Sequence, residues 1–170
     1  IVGSFGGLVL WLRADDNTFQ TVGGSAADTD GQPVRQWIDR SGAGHSFETA
    51  GTPPTLRTGV AEIGGRSAIE FAGTGDELAD LNGGSYINGL DGFSIFMVIK
   101  SNQTDTDRGF WHTKVPDGQD DVFTMRYDAV GFYGSPAPVN NIKVGILSNA
   151  PENQIESYSD VQTTNGQVVM

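Results

Sequence analysis

The sequence predicts an all-β fold, and three observations support that prediction. The apolar segments are four to eight residues long and end at Gly, Asn, Asp or Pro, which is the pattern of strands. The 170 residues include 24 glycines and only 18% charged residues, as expected where tight turns are frequent. Turn clusters such as SGAG, GTPP and AGTGDE recur at short intervals. Many short strands with regular turns indicate a sandwich or a barrel.

Seven segments are predicted as strands on this basis. They are LVLWL (8–12), PVRQWI (33–38), AIEFA (68–72), FSIFMVIK (93–100), RGFWHT (108–113), VFTMRY (122–127) and NIKVGIL (141–147). FSIFMVIK is apolar almost throughout, which is typical of a strand that is buried on both faces. VFTMRY alternates instead, so Phe123 and Met125 share one face and Thr124 lies on the other.

Composition and charge argue against several classes of function. The net charge is −11, and such a surface repels the phosphate backbone of nucleic acids, so we expect no nucleic-acid partner. We expect no membrane insertion either, because the sequence has no run of about 18 apolar residues. The absence of cysteine excludes disulfides, zinc–thiolate sites and cysteine nucleophiles.

The order of several motifs resembles a known family. GLVLWLRADD, GQPVRQWIDRSGAGHSF, TPPTL, AIEFAGTGDELA and GFSIFMVIK follow one another as in the N-terminal part of LamG-like jelly-roll domains, which belong to the concanavalin A-like lectin/glucanase superfamily. The residues that match the family's motifs are Trp11, Trp37, Asp39, Ser41, Gly42, Gly44, Phe71, Gly73 and Asp76. The stretch FTMRYDAVGFYG is similar to versions found in large, repetitive, calcium-dependent (RTX-type) bacterial surface adhesins. Glu77 departs from the family, which usually has an aromatic or polar residue there.

This resemblance implies a two-sheet antiparallel jelly-roll sandwich formed by residues 1–170 as a single domain. We expect its core between the sheets to bury Trp11, Trp37, Phe71, Phe96 and Val98. The family has three or more further strands after the position of Met170, so the domain is expected to lack its last strands here. The segment VQTTNGQVVM is expected to pair with these complementary C-terminal strands, whether they follow in the same chain or belong to a second one.

The stretch QWIDRSGAGHSF contains Asp39, Ser41 and His45, the three side chains of a nucleophilic triad. Members of a triad normally converge from separated segments on a prepared oxyanion hole. Gly42 and Gly44 instead permit positive φ angles, and the Asp and Ser side chains can bond to backbone N–H groups inside a turn. The corresponding turn of the family is structural, so we interpret this stretch as a turn without catalytic function.

Two further enzyme classes are disfavoured. Glycoside hydrolysis needs a pair of carboxylates, which laminarinase-like relatives of the superfamily carry as Glu-x-Asp-x-x-Glu on one strand. That spacing does not occur here. Metalloprotease chemistry is disfavoured because His45 and His112 are the only histidines and do not form an H-E-x-x-H motif. We therefore expect no catalytic residues.

Calcium is the one cofactor that the sequence suggests, because acidic loops supply the oxygen ligands that it prefers. The candidate ligands are Asp28 and Asp30 in one loop and Asp117, Asp120 and Asp121 in another, with Asp105 and Asp107 in a third acidic loop. The first loop is not an EF-hand, because Pro33 occupies the position of the turning glycine. The alternative interpretation is that these loops are plain solvated turns.

Aromatic residues next to polar ones are candidates for glycan binding, since sugar rings stack on aromatic faces. The candidates are Trp111, next to His112, and Phe132, Tyr133 and Asn140 in the loop GFYGSPAPVNN. Core packing is the alternative role for Trp111.

The resemblance leads to two functional hypotheses. The first is a non-catalytic extracellular module of a bacterial surface adhesin, which binds glycan or another cell-surface ligand or acts as a scaffold for ligand-binding domains. The alternative is a carbohydrate-binding accessory module of a secreted polysaccharide-degrading enzyme. Both place the chain outside the cell or on the bacterial surface, and the neighbouring domains of the parent protein would distinguish them.

Overall fold

The computed structural model describes residues 6–73, 75–80, 92–100, 108–113, 123–128, 141–146, 155–158 and 168–169. These residues form eleven strands: β1 (Thr18–Phe19), β2 (Gln36–Ile38), β3 (Ser46–Glu48), β4 (Thr55–Val60), β5 (Arg66–Glu70), β6 (Ile99–Lys100), β7 (Arg108–Thr113), β8 (Phe123–Asp128), β9 (Asn141–Ile146), β10 (Ile155–Tyr158) and β11 (Val168–Val169). None of the described residues lies in an α-helix, so the all-β prediction is confirmed. Likewise, no helix in the described ranges is long and apolar enough to cross a membrane.

The chain divides into two compact units, Ile1–Asn88 and Gly89–Met170. In the N-terminal unit, β1, β2 and β3 form an antiparallel sheet in which Trp37 pairs with both Thr18 and Phe47. Strands β4 and β5 form a separate antiparallel hairpin, connected by a 3-10 turn at Ala61–Ile63.

The core of this unit lies where the segment before β2 meets the hairpin. Val34 and Leu56 are almost completely buried, and Trp37 and Ile69 pack around them. Two backbone hydrogen bonds fix this junction, because Val34 N donates to Pro54 O and Leu56 N donates to Gln32 O, both over 2.8 Å. Apolar side chains from both sheets therefore meet in one cluster.

The C-terminal unit contains a four-stranded antiparallel sheet in which each strand pairs with its neighbour in sequence, in the order β7, β8, β9, β10. Phe123 and Thr113 pair across β7 and β8 and are both buried, whereas His112 is exposed. A register shift between Gly109 and Trp111 marks an irregularity in β7. Strands β6 and β11 form a second, two-stranded ladder.

Several predicted strands are shorter than expected or absent. LVLWL forms no strand in the structure, because the Trp11 backbone bonds to the turn after β2 rather than to a strand. In FSIFMVIK, only Ile99–Lys100 is a strand. RGFWHT coincides with β7, and VFTMRY and NIKVGIL agree with β8 and β9 to within one residue at each end.

The burial predicted for three aromatic and aliphatic residues is wrong. Phe71 is 50% exposed, Phe96 is 95% exposed and Val98 is 57% exposed. Phe71 follows directly after the end of β5 and so lies outside its ladder. Phe96 and Val98 precede β6, in a stretch that pairs with no strand among the described residues. Trp11 and Trp37, which were also expected in the core, are half-buried.

Candidate functional site

A network of hydrogen bonds holds the turn after β2. Asp39 is 7% exposed, and its Oδ1 accepts hydrogen bonds from the backbone N–H groups of Trp11 (2.7 Å) and Ser41 (2.8 Å). Its Oδ2 accepts a hydrogen bond of 2.5 Å from the Ser41 hydroxyl. The Ser41 Oγ in turn accepts from Ala43 N over 3.1 Å. The carboxylate therefore closes its own turn and joins it to the segment around Trp11.

The backbone of this turn requires glycine at two positions. Gly42 has a φ of 93° and Gly44 a φ of 85°, in the left-handed region that other L-residues rarely adopt. The sequence predicts this geometry and the bonds between backbone N–H groups and the side chains of Asp39 and Ser41. Both expectations are confirmed.

The environment of Asp39 favours its charged form. Burial alone would raise its pKa, but hydrogen bonds from the Ser41 hydroxyl and from the N–H groups of Ser41 and Trp11 outweigh that effect. The pKa of Asp39 is therefore lower than its ordinary value of 3.8. The turn thus depends on an ionised carboxylate.

The His45 side chain contacts Asp80, whereas Asp39 is the aspartate of its own stretch. Its Nδ1 lies 3.0 Å from Oδ2 of Asp80, whose side chain is only 2% exposed. The Ser41 hydroxyl donates to Asp39, with the carbonyl of Val9 3.2 Å away. A nucleophilic serine donates its hydroxyl proton to the histidine base, whereas the Ser41 hydroxyl donates to the Asp39 carboxylate. The geometry is that of a structural turn.

Trp11 lies next to two arginines. The guanidinium carbons of Arg13 and Arg40 lie 6.0 Å and 5.4 Å from the centre of a Trp11 ring, within the range of cation–π contacts. Arg13 also makes a bidentate pair with Asp15, at 2.9 Å and 2.8 Å, and this pair lowers the pKa of the Asp15 carboxyl. Arg40 pairs with Asp16. The cluster connects the segment around Trp11 to Arg40, directly after Asp39.

An open cleft of about 210 Å³ lies beside this cluster. Three carboxylates line it, those of Asp15, Asp16 and Asp28. Two of them are already paired with arginine, as described above, and Asp28 Oδ1 accepts a hydrogen bond from Thr29 Oγ1 over 3.0 Å. Two of the three negative charges in the cleft are therefore paired with arginine.

The predicted calcium ligands Asp28 and Asp30 make separate contacts. Asp30 Oδ1 accepts a hydrogen bond from Thr58 N over 2.9 Å, and its Oδ2 lies 3.9 Å from Arg57. Within the described ranges, no group of three or more His, Cys, Asp or Glu side chains could hold a metal ion. The other candidate ligands, Asp105, Asp107, Asp117, Asp120 and Asp121, lie outside the described residues.

Of the predicted glycan contacts, only Trp111 lies within the described residues. It pairs with Met125 across β7 and β8, two positions before the buried Thr113, so the backbone alternation puts both on one face of the sheet. Trp111 is half-buried there, and this position favours packing, which is the alternative that the sequence analysis left open. Phe132, Tyr133 and Asn140 lie outside the described residues.

Sequence reasoning missed two polar residues that the fold uses. Asp80, which holds His45, is separated from it by 35 residues, and no motif connects the two positions. Gln36 is 6% exposed; its amide oxygen accepts from Gly23 N and its amide nitrogen donates to Glu48. The only available signal was a polar residue within the apolar stretch PVRQWI.

Comparison with known proteins adds no family assignment, since the chain matches no protein-family model, no curated protein and no solved structure.

Proposed function

We propose that this chain is a non-catalytic, extracellular module of a bacterial surface adhesin. In this proposal it folds as a LamG-like, two-sheet antiparallel jelly roll that binds glycan or holds neighbouring ligand-binding domains in place. The observation that carries the non-catalytic part is the turn at Asp39. The one stretch whose residue types match a nucleophilic triad uses its carboxylate and hydroxyl to bond to the fold.

The rest of the proposal has two supports. The all-β structure fits the architecture that the motif resemblance implies. The acidic, cysteine-free composition resembles that of bacterial secreted proteins that use calcium rather than disulfides for stiffness. A carbohydrate-binding accessory module of a secreted polysaccharide-degrading enzyme is the alternative, and an adjoining catalytic domain in the parent protein would favour it.

Native electrophoresis of the purified chain through gels that contain soluble polysaccharides tests this proposal. Retarded migration without release of reducing ends is the expected result for a glycan-binding module. Phe132→Ala and Tyr133→Ala should weaken the retardation, whereas Val22→Ala, at a position that is 55% exposed in the other unit, is the matched control. The non-catalytic assignment would be overturned if the chain released reducing ends and Asp39→Asn abolished that release without unfolding the chain. Absence of retardation with every polysaccharide would leave the scaffold role as the proposed one.

A further inference from the structure

The segment 93–98, which precedes β6, combines an apolar sequence with high exposure. It reads FSIFMV, carries no charge and no proline, and contains no turn or bend in the structure. Phe93 and Ile95 are 40% and 41% exposed, and Phe96 and Val98 are more exposed still, at 95% and 57%. Among the described residues it pairs with no strand. We refer to residues 93–98 as the open segment.

One side of the open segment is partly covered. The ring of Phe93 meets the ring of Phe123 edge to face, with centroids 5.4 Å apart and an interplanar angle of 86°. Met97, four residues later, is half-buried, whereas Phe96 and Val98 are exposed. Exposure therefore alternates as in an extended chain, with the side chains of one side partly covered and those of the other side exposed. Natural proteins cover such apolar edges, because unpaired strands recruit other chains.

The adjacent ladder fixes how a covering strand would run. β11 is antiparallel to β6, with Val168 opposite Lys100 and Val169 opposite Ile99. An extension of the same register would place the position after Val169 opposite Val98. The next two positions along that line would lie opposite Met97 and Phe96. The β6–β11 ladder therefore fixes both the direction and the register of any strand that continues β11.

We propose that the open segment is the acceptor for an antiparallel β-strand that continues the line of β11. The chemistry of the segment requires an uncharged strand with apolar residues at alternate positions, which would cover Phe96 and Val98. This occupant is favoured over a second copy of the chain because it extends an existing ladder, whereas a second copy would have to establish its own register. The inference deepens the proposed jelly roll and rests on it for the presence of such a strand.

The first test appends six residues of alternating threonine and valine after Met170, with a Gly-Ser tail of equal length as the matched control. Hydrogen exchange measured by mass spectrometry should slow at least tenfold in peptides covering the open segment only with the threonine–valine tail. Equal exchange with the two tails would overturn the inference. Concentration-dependent dimerisation of the unextended chain, with the open segment protected, would also overturn it, because a second copy would then be the occupant.

The second test uses the absence of cysteine in the chain to measure the register. Phe96→Cys is combined with a cysteine at the second appended residue, which the ladder places directly opposite, where side chains are about 4.5–5.5 Å apart. Controls carry the cysteine at the first or third appended residue, which face the other side of the sheet. Intramolecular disulfide in the second-residue variant alone is the expected result. Equal cross-linking at all three positions would refute the register. The polysaccharide assay is independent of both tests, so the proposed function and this inference can fail separately.

Discussion

Replacing Asp39 is the sharpest test of the bonded turn. In Asp39→Ala the backbone N–H groups of Trp11 and Ser41 and the Ser41 hydroxyl lose their acceptor in a site that is 7% exposed. Each buried donor left without a partner costs about 1–3 kcal/mol, so the two backbone donors predict a loss of about 2–6 kcal/mol in the free energy of unfolding. That loss is a large fraction of a typical domain stability of about 5–15 kcal/mol.

Asp39→Asn should destabilise the chain less than Asp39→Ala, because asparagine keeps an acceptor oxygen at this position. Its amide oxygen can still accept from both backbone N–H groups, and its amide nitrogen can donate to Ser41 Oγ. The hydroxyl can then donate to Val9 O, which is 3.2 Å away. Only the charge assistance is lost, so we expect a cost of about 1 kcal/mol. Asp28→Ala, an exposed carboxylate with one local bond, is the control and should change stability by less than about 0.5 kcal/mol.

Urea unfolding followed by tryptophan fluorescence measures these differences. A Trp111→Phe background limits the signal to Trp11 and Trp37, both in the N-terminal unit. The reasoning is refuted if Asp39→Ala lies within about 1 kcal/mol of the parent, or if it is no worse than Asp39→Asn.

The same residue predicts a pH dependence with a definite sign. Because the pKa of Asp39 is lower in the folded chain than its ordinary value of 3.8, the unfolded chain binds the proton more readily. The contribution of Asp39 to stability is therefore fully present above about pH 4 and is lost as the pH falls through the lower, folded pKa. The stability difference between the parent and Asp39→Asn should shrink over that range; a constant difference down to pH 2 would contradict the assignment.

The remaining predictions concern the core, the turn and calcium. Leu56→Ala should destabilise the chain by about 2–5 kcal/mol in urea unfolding, because Leu56 is 1% exposed, whereas Val22→Ala, at a position that is 55% exposed, should have little effect. Gly44→Ala should cost about 1 kcal/mol or more, since its φ is 85°, and Gly6→Ala, at a glycine without a positive φ, is the comparison in the same assay. Millimolar calcium should raise the melting temperature, and a chelator should reverse this, if the acidic loops form a site; an identical melting curve would show that they are solvated turns.

The sequence predicted best those elements whose signal lies within the element itself. β7 coincides with RGFWHT, because an apolar, aromatic run bounded by turn residues is a complete strand signal. β1 and β3 have two and three residues, too few for a period, and their place in the sheet is set by Trp37 and its neighbours in β2. Phe96 was expected to be buried because it is apolar, but burial needs a neighbouring strand, and hydrophobicity alone does not specify one.

In the candidate site, too, local contacts could be predicted from the sequence and a distant one could not. Bonds within the turn at Asp39 could be predicted, since Ser41 bonds to Asp39 and Ala43 bonds to Ser41, each over only two residues. The pairing of His45 with Asp80 could not be, because it depends on where a distant segment folds back.

That distant pairing sets an order of events during synthesis. Glu48 and Ala79 exchange two backbone hydrogen bonds, and His45 contacts Asp80, so β3 acquires its last partners only after residue 80 has been made. At a translation rate of about 5–20 residues per second, β1–β3 lack these partners for several seconds. The sheet of β7–β10 has no such delay, since each of its strands pairs with the one synthesised just before it. The C-terminal sheet can therefore form as it emerges, whereas the N-terminal unit is exposed to chaperones and misfolding for longer, although it is made first.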